Sequence, residues 1–124
     1  MPGQNLGKMI TVPAGADLSA SQYCFVKLDN QGRAVLPTDG GDAIGILQNN
    51  PNAAGQAATV MVGEGISKVV AAGAATAADY VSTDGSGNAT SNDTGDVRLG
   101  QFLDSPTAQG QIVSILFQKK GATA

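Results

Sequence analysis

The chain is predicted to be all-β, a small barrel- or sandwich-like body built from two similar units of short strands. Three observations predict it. About ten short runs alternate or stay apolar and are bounded by Gly, Pro, Asn and Asp. No stretch of ten or more residues carries a helical period. The segment from Phe25 to Val62 is also written a second time, 55 residues on, from Tyr80 to Phe117. Identities fall at Val26/Val81, Asp29/Asp84, Gly32/Gly87, Ala34/Ala89, Gly40/Gly95, Gly45/Gly100, Pro51/Pro106, Ala53/Ala108, Gly55/Gly110 and Gln56/Gln111, while Ile44/Leu99, Leu47/Phe102, Val60/Ile115 and Met61/Leu116 keep their apolar type. What is repeated is a plan of strands and turns. At 124 residues the chain suits one cooperative domain. Two independent cores of about 50 residues each would be marginal, so the copies are expected to share one.

Taken in order, Met1–Gly7 has no periodicity and is expected to be a flexible arm. Lys8–Val12 is a strand ended by the turn Pro13–Ala16. Tyr23–Leu28 alternates as a strand and turns at Asp29–Gly32, where Asp and Asn can cap their own backbone and Gly takes a positive φ. Arg33–Leu36 returns antiparallel until Pro37 removes a ladder donor. Ala43–Gln48 and Ala57–Val62 are strands on either side of the loop Asn49–Gly55, and Gly63–Gly65 separates the second from Ile66–Val70.

The second round opens at Ala71–Ala74, which echoes Pro13–Ala16 at an offset of 58 instead of 55, implying a linker three residues shorter. Tyr80–Thr83 answers the Phe25 strand. Ala89–Gly95, polar where the first copy reads AVLPTDG, is expected to be exposed and poorly ordered. The contrast between RAVLP and NATSN is expected to mark the difference between a face that holds a partner and one that meets solvent. Asp96–Leu103 and Gln111–Gln118 are strands, the latter the most apolar and therefore central, and the chain closes with a polar tail. The domain expectation is an arm at 1–7, one β domain at 8–120 with repeats at about 12–65 and 70–118, and a tail at 121–124. The glycines expected to serve turns or close packing are Gly15, Gly32, Gly45, Gly55, Gly73, Gly87, Gly100 and Gly110.

Composition narrows function before any motif does. Aromatics are 4% and charged residues 14%, with seven basic against ten acidic residues and a formal charge of -3. No basic run beyond Lys119-Lys120 offers a nucleic-acid footprint. The absence of histidine removes the usual general base and the commonest metal ligand. Cys24, the only cysteine, reads as a buried small hydrophobe. No apolar span is long enough to cross a membrane, and Met1–Gly7 does not read as a secretion signal.

Each catalytic or ligand motif has a simpler reading. Asp84–Asn88 alternates oxygen-bearing side chains as a calcium loop would, but lacks the downstream glutamate and reads as a hairpin turn. Asp39 and Asp42 would be a carboxylate pair without the aromatic cleft that sugar chemistry needs. Asn88-Ala89-Thr90 and Asn92-Asp93-Thr94 match the short glycosylation pattern without further support. The chain is therefore expected to be no enzyme, with no catalytic residue, cofactor, metal or small-molecule substrate, and to act by adhering to other protein. Pro2, Gln4, Asn5, Leu6 and Lys8 are the candidate partner-binding residues, as an arm that adds to a neighbour's sheet edge.

Val12–Gly65 also resembles the small tailed-phage capsid decoration, or cement, proteins. Ala14-Gly15, Asp29 with Gly32, Ala43-Ile44-Gly45, Ala53-Ala54-Gly55-Gln56, Val60 and Gly63 fill that family's turn and strand positions; Gln56 replaces the commoner acidic residue, and Ala89–Gly95 departs in the second copy. The resemblance implies a homotrimer on the outer surface of the assembled capsid, present in the host cytoplasm during assembly. It would bind the major capsid protein and stabilise the DNA-filled head, with no contact to nucleic acid or membrane. The alternative is a phage fibre, tail or host-surface binding module of β fold.

Overall fold

The structure, a computed structural model, describes residues 8–93 and 95–122. The arm at Met1–Gly7, with its candidate residues Pro2, Gln4, Asn5 and Leu6, lies outside them. Among the described residues ten strands form two five-stranded antiparallel sheets. The first holds β1 (Met9–Pro13), β2 (Phe25–Leu28), β3 (Ala34–Val35), β4 (Gly45–Leu47) and β5 (Ala57–Met61) in the order β1-β5-β4-β2-β3. The second holds β6 (Gly65–Val70), β7 (Tyr80–Thr83), β8 (Ala89–Ser91), β9 (Val97–Phe102) and β10 (Ile112–Ala122) in the order β6-β10-β9-β7-β8. Strand for strand, the orders are the same.

The repeat holds in register as well as in order. Phe25 faces Ile46 and Val26 faces Gly45, as Tyr80 faces Gln101 and Val81 faces Gly100. Leu47 faces Val60 as Phe102 faces Ile115. The turns are copied bond for bond. The Asp29 Oδ1 accepts the N–H groups of Gln31 and Arg33, and the Asp84 Oδ1 those of Ser86 and Asn88. The Gln56 side chain accepts the Asn52 N–H as Gln111 accepts that of Thr107. Recurrence of Asp, Gly and Gln at these positions is the recurrence of those bonds.

The structure corrects the offset at the start of the second round. Ala14 bridges Ala34 and Ala71 bridges Ala89, so the first strands correspond at 57 residues. The Leu18 N–H reaches the Pro51 carbonyl as Ala75 reaches Pro106, still at 57; the Cys24 N–H bonds Ser21 as Asp79 bonds Thr76, already at 55. The second copy therefore lacks two residues, the counterparts of Ser19 and Ala20, and not three. Ala-Gly-Ala is spelled too cheaply to fix a register in an alanine-rich chain.

Further expectations are revised. Neither sheet closes into a barrel: the edge strands of each meet at a single parallel bridge, Ala14–Ala34 or Ala71–Ala89, with no ladder between them. Ala89–Ser91 is not a loose exposed segment but pairs with β7, and Ala89 is fully buried. The tail at 121–124 begins inside β10, where Gly121 and Ala122 pair with Arg98 and Val97. β10 is an inner strand between β6 and β9, but the middle place belongs to β9. Each break comes from backbone pairing that the side-chain pattern does not encode.

The described residues form two buried clusters. One lies within the first unit: Ala14, Leu18, Val26, Ala34, Leu47, Ala58 and Val60. The other spans both units, setting Phe25, Ala43, Ile46 and Met61 of the first among Val69, Val81, Ala89, Leu99, Phe102, Ile115 and Phe117 of the second. Phe25 and Phe117 stack at 6.3 Å between ring centroids.

Candidate interaction surface

Strand alternation gives each unit two faces. Phe25, Ile46 and Met61 share one, called the outer face, because they are direct cross-strand partners; Val26, Leu47 and Val60 share the inner face. In the second unit the outer face carries Tyr80, Gln101 and Leu116, and the inner face Val81, Phe102 and Ile115. The shared cluster joins the outer face of the first unit to inner-face residues of the second. The seam thus brings unlike faces together.

Polar contacts along the seam follow the same rule. The Phe25 N–H donates to the Gly87 carbonyl at 2.7 Å, Gly40 to Thr83 at 2.8 Å, and Val70 to Tyr23 at 3.1 Å. Gln48 Nε2 donates to Ser67 Oγ at 3.0 Å, the Lys68 ammonium lies 6.0 Å from the centre of the Tyr23 ring, and Lys119 pairs with Asp42 at 2.8 Å. Asp42 and Lys119 are both substantially exposed, so this pair contributes little to stability. Their cleft, about 440 Å³, is bordered by Lys27, Leu28, Thr38, Ala43 and Ile44. Asp42 thus lies at the seam, paired with Lys119 of the second unit.

Cys24 sits on the seam, buried, with Sγ 3.4 Å from Asn88 Oδ1. Burial, aided by the negative charge of Asp84, pushes its thiol up to about 11, so it stays protonated at neutral pH. Ellman's reagent is expected to label the native chain at least about 100-fold more slowly than the chain in denaturant. Equal rates in the two conditions would show an open thiol.

The candidate loop Asp84–Asn88 is a hairpin turn whose carboxylate is engaged by its own backbone. In the matching turn the Arg33 N–H, then the Gln31 N–H and the Arg33 guanidinium, hold the Asp29 carboxyl below the usual carboxylate range. Among the described residues no group of three or more His, Cys, Asp or Glu side chains could hold a metal ion.

The remaining sequence candidates scatter across the fold. Lys8 is exposed just ahead of β1, its carbonyl accepting the Val62 N–H. Gly32, Gly87, Gly55 and Gly110 have positive φ at the turns. Gly15 packs against Val35, and Gly73 has open space around it. Gly45 and Gly100 stand where a Cβ would fall on the carbonyl oxygen of Met61 or Leu116 in the adjacent strand.

Sequence reasoning missed what distinguishes the two outer faces. Phe25, Ile46 and Met61 are fully buried, whereas Tyr80 is 38% exposed and Gln101 and Leu116 are half-buried. The signal was present in the replacement of Phe by Tyr and Ile by Gln. It does not lie in RAVLP against NATSN, since Ala34 and Ala89 are equally buried and identically paired.

No protein-family model matches the chain, and no curated protein does. Among solved structures it is similar to the crystal structure of the N base of head fiber gp8.5 in bacteriophage phi29, with a TM-score of 0.71 and 14% identity over 94% of this chain and 98% of that one. This overturns the likeness to capsid decoration proteins. The turn spellings on which that likeness rested serve backbone bonds that both copies of this chain make. The homotrimer on the capsid lattice, the major capsid protein as partner and the cement role were implied by that likeness alone and fall with it. The fold that the chain displays, two five-stranded antiparallel sheets in tandem, is similar to that of the phi29 head fiber N base.

Proposed function

We propose that the chain is a structural module of a phage fibre, a base from which an appendage stands on the outside of the virion. The observation that carries this reading is the superposition on a head fibre base along nearly the full length of both chains. The site chemistry supports it: the described residues present strand faces and backbone turns, and the exposed apolar groups Met9, Leu28, Tyr80, Leu103 and Ile112 suit contact with protein more than capture of a small molecule. The alternative named from the sequence, a fibre or binding module of β fold, thereby becomes the main reading.

The test uses intact virions of the phage that encodes the chain. Mass spectrometry should find the chain among the virion proteins, and gold-labelled antibody should decorate unopened heads. Absence from virions, labelling of tails alone, or labelling only after heads are broken would overturn the proposal.

A further inference from the structure

The seam inside the chain joins unlike faces, which leaves one unused copy of each at the two ends. Under the register of the repeat, every seam residue has a counterpart in the other unit. The outer face of the first unit is covered by the second, but the outer face of the second unit is uncovered: Tyr80 is 38% and Leu103 46% exposed. A shallow depression of about 300 Å³ lies there, lined by Ala77, Ala78, Gln101, Phe102, Leu103 and Leu116. Its counterparts in the first unit are Gln22, Tyr23, Ile46, Leu47, Gln48 and Met61, and of these Tyr23 and Gln48 contact the second unit directly. The depression is the ground on which a following unit would stand.

The opposite end is open in a matching way. Val69, Leu99 and Phe117 are buried by at most 2% residual exposure, while their counterparts Val12, Ile44 and Val62 remain half-buried. Gly87 is packed so closely under Phe25 that an added Cβ would lie 2.6 Å from the Phe25 carbonyl oxygen; its counterpart Gly32 has nothing within 4 Å. Thr83, which accepts the Gly40 N–H, is fully buried, and its counterpart Leu28 is 38% exposed.

We infer that a second copy of this chain docks head to tail, its β1 and Asp29–Arg33 turn seated on the outer face of the second unit as the second unit is seated on the first. Two pairs of side chains at the counterpart positions suit such an interface. Gln48 and Ser67 bond across the seam, and their counterparts are Leu103 and Ile10, an apolar pair. Cys24 meets Asn88, and their counterparts are Asp79 and Arg33, which carry opposite charge. Three seam contacts have no counterpart: Pro13 stands where Val70 donates to Tyr23 and has no N–H to give, Val97 and Glu64 stand at the places of Asp42 and Lys119, and Ala78 and Thr11 at those of Tyr23 and Lys68. Contact between unlike faces leaves each added copy with a fresh outer face, so the arrangement grows into a ring or a stack according to the rotation per step.

The experiment pairs two chains, each with the native thiol removed by Cys24→Ser and one new thiol, Leu103→Cys in one and Ile10→Cys in the other. A short bis-maleimide should join the mixture into covalent dimers and leave each chain alone uncoupled. Light scattering on the unmodified chain should give a mass above the 12.3 kDa of one copy. Leu103→Asp, whose fold is checked by circular dichroism, should weaken association at least about tenfold. A monomer throughout the micromolar range, coupling of Leu103→Cys to itself, or association unchanged by a folded Leu103→Asp chain would each overturn the inference.

Discussion

Gly45→Val, or Gly100→Val, is expected to cost at least about 3 kcal/mol, at or beyond the upper end of ordinary overpacking. A Cβ at either position would coincide with a backbone carbonyl oxygen of the neighbouring strand, Met61 or Leu116. A side-chain clash can be relieved by rotation, but this one requires β4 to part from β5 beside the Ile46–Met61 pair, or β9 from β10 at the Gly100–Phe117 pair. For a domain of this size the loss corresponds to a fall in Tm of about 10 °C or more. Gly73→Ala is the control, since Gly73 has nothing within 4 Å and no positive φ. Melting the variants side by side checks the claim, and a Tm for Gly45→Val equal to that of Gly73→Ala would refute it.

Phe25→Ala is expected to cost about 3–5 kcal/mol in chemical denaturation. The ring is fully buried, packs on Phe117, and belongs to the cluster that holds the units together. Its counterpart Tyr80 is 38% exposed, with the Arg98 guanidinium 5.3 Å from its ring centre. Tyr80→Ala should therefore cost only about 1 kcal/mol, the scale of an exposed cation–π contact with some lost burial. The same two positions of the repeat thus differ several-fold in effect. Equal costs for the two would mean that the seam does not treat the units differently.

Much of the fold was legible because the repeat is written in residues that turns cannot do without. Asp29 and Asp84, Gly32 and Gly87, Gln56 and Gln111 recur because each makes the same backbone bonds in both copies. The 57-residue correspondence of β1 and β6 was not legible, because strands there carry no turn residue to anchor them and Ala-Gly-Ala matches better one place along, at 58. The seam was harder still. Phe25 and Tyr80 look like a conservative pair in sequence, and only the pairing of faces shows that one is interior and the other is surface. Family likeness misled for a related reason: turn spelling reports the unit, while the surface contacts that set a protein's role are carried by side chains between the turns.

The division of the core also sets an order of assembly in time. The first unit completes its own cluster from Ala14 to Val60 using no residue beyond it, whereas the second buries Leu99, Phe102 and Phe117 only together with Phe25, Ile46 and Met61. On a ribosome that delivers the chain from its N-terminus, the first sheet can take shape as a template before the second has been made. Pulse-labelled hydrogen exchange during refolding should accordingly protect Ala57–Met61 before Ile112–Phe117, and the reverse order would show that the second sheet needs no template.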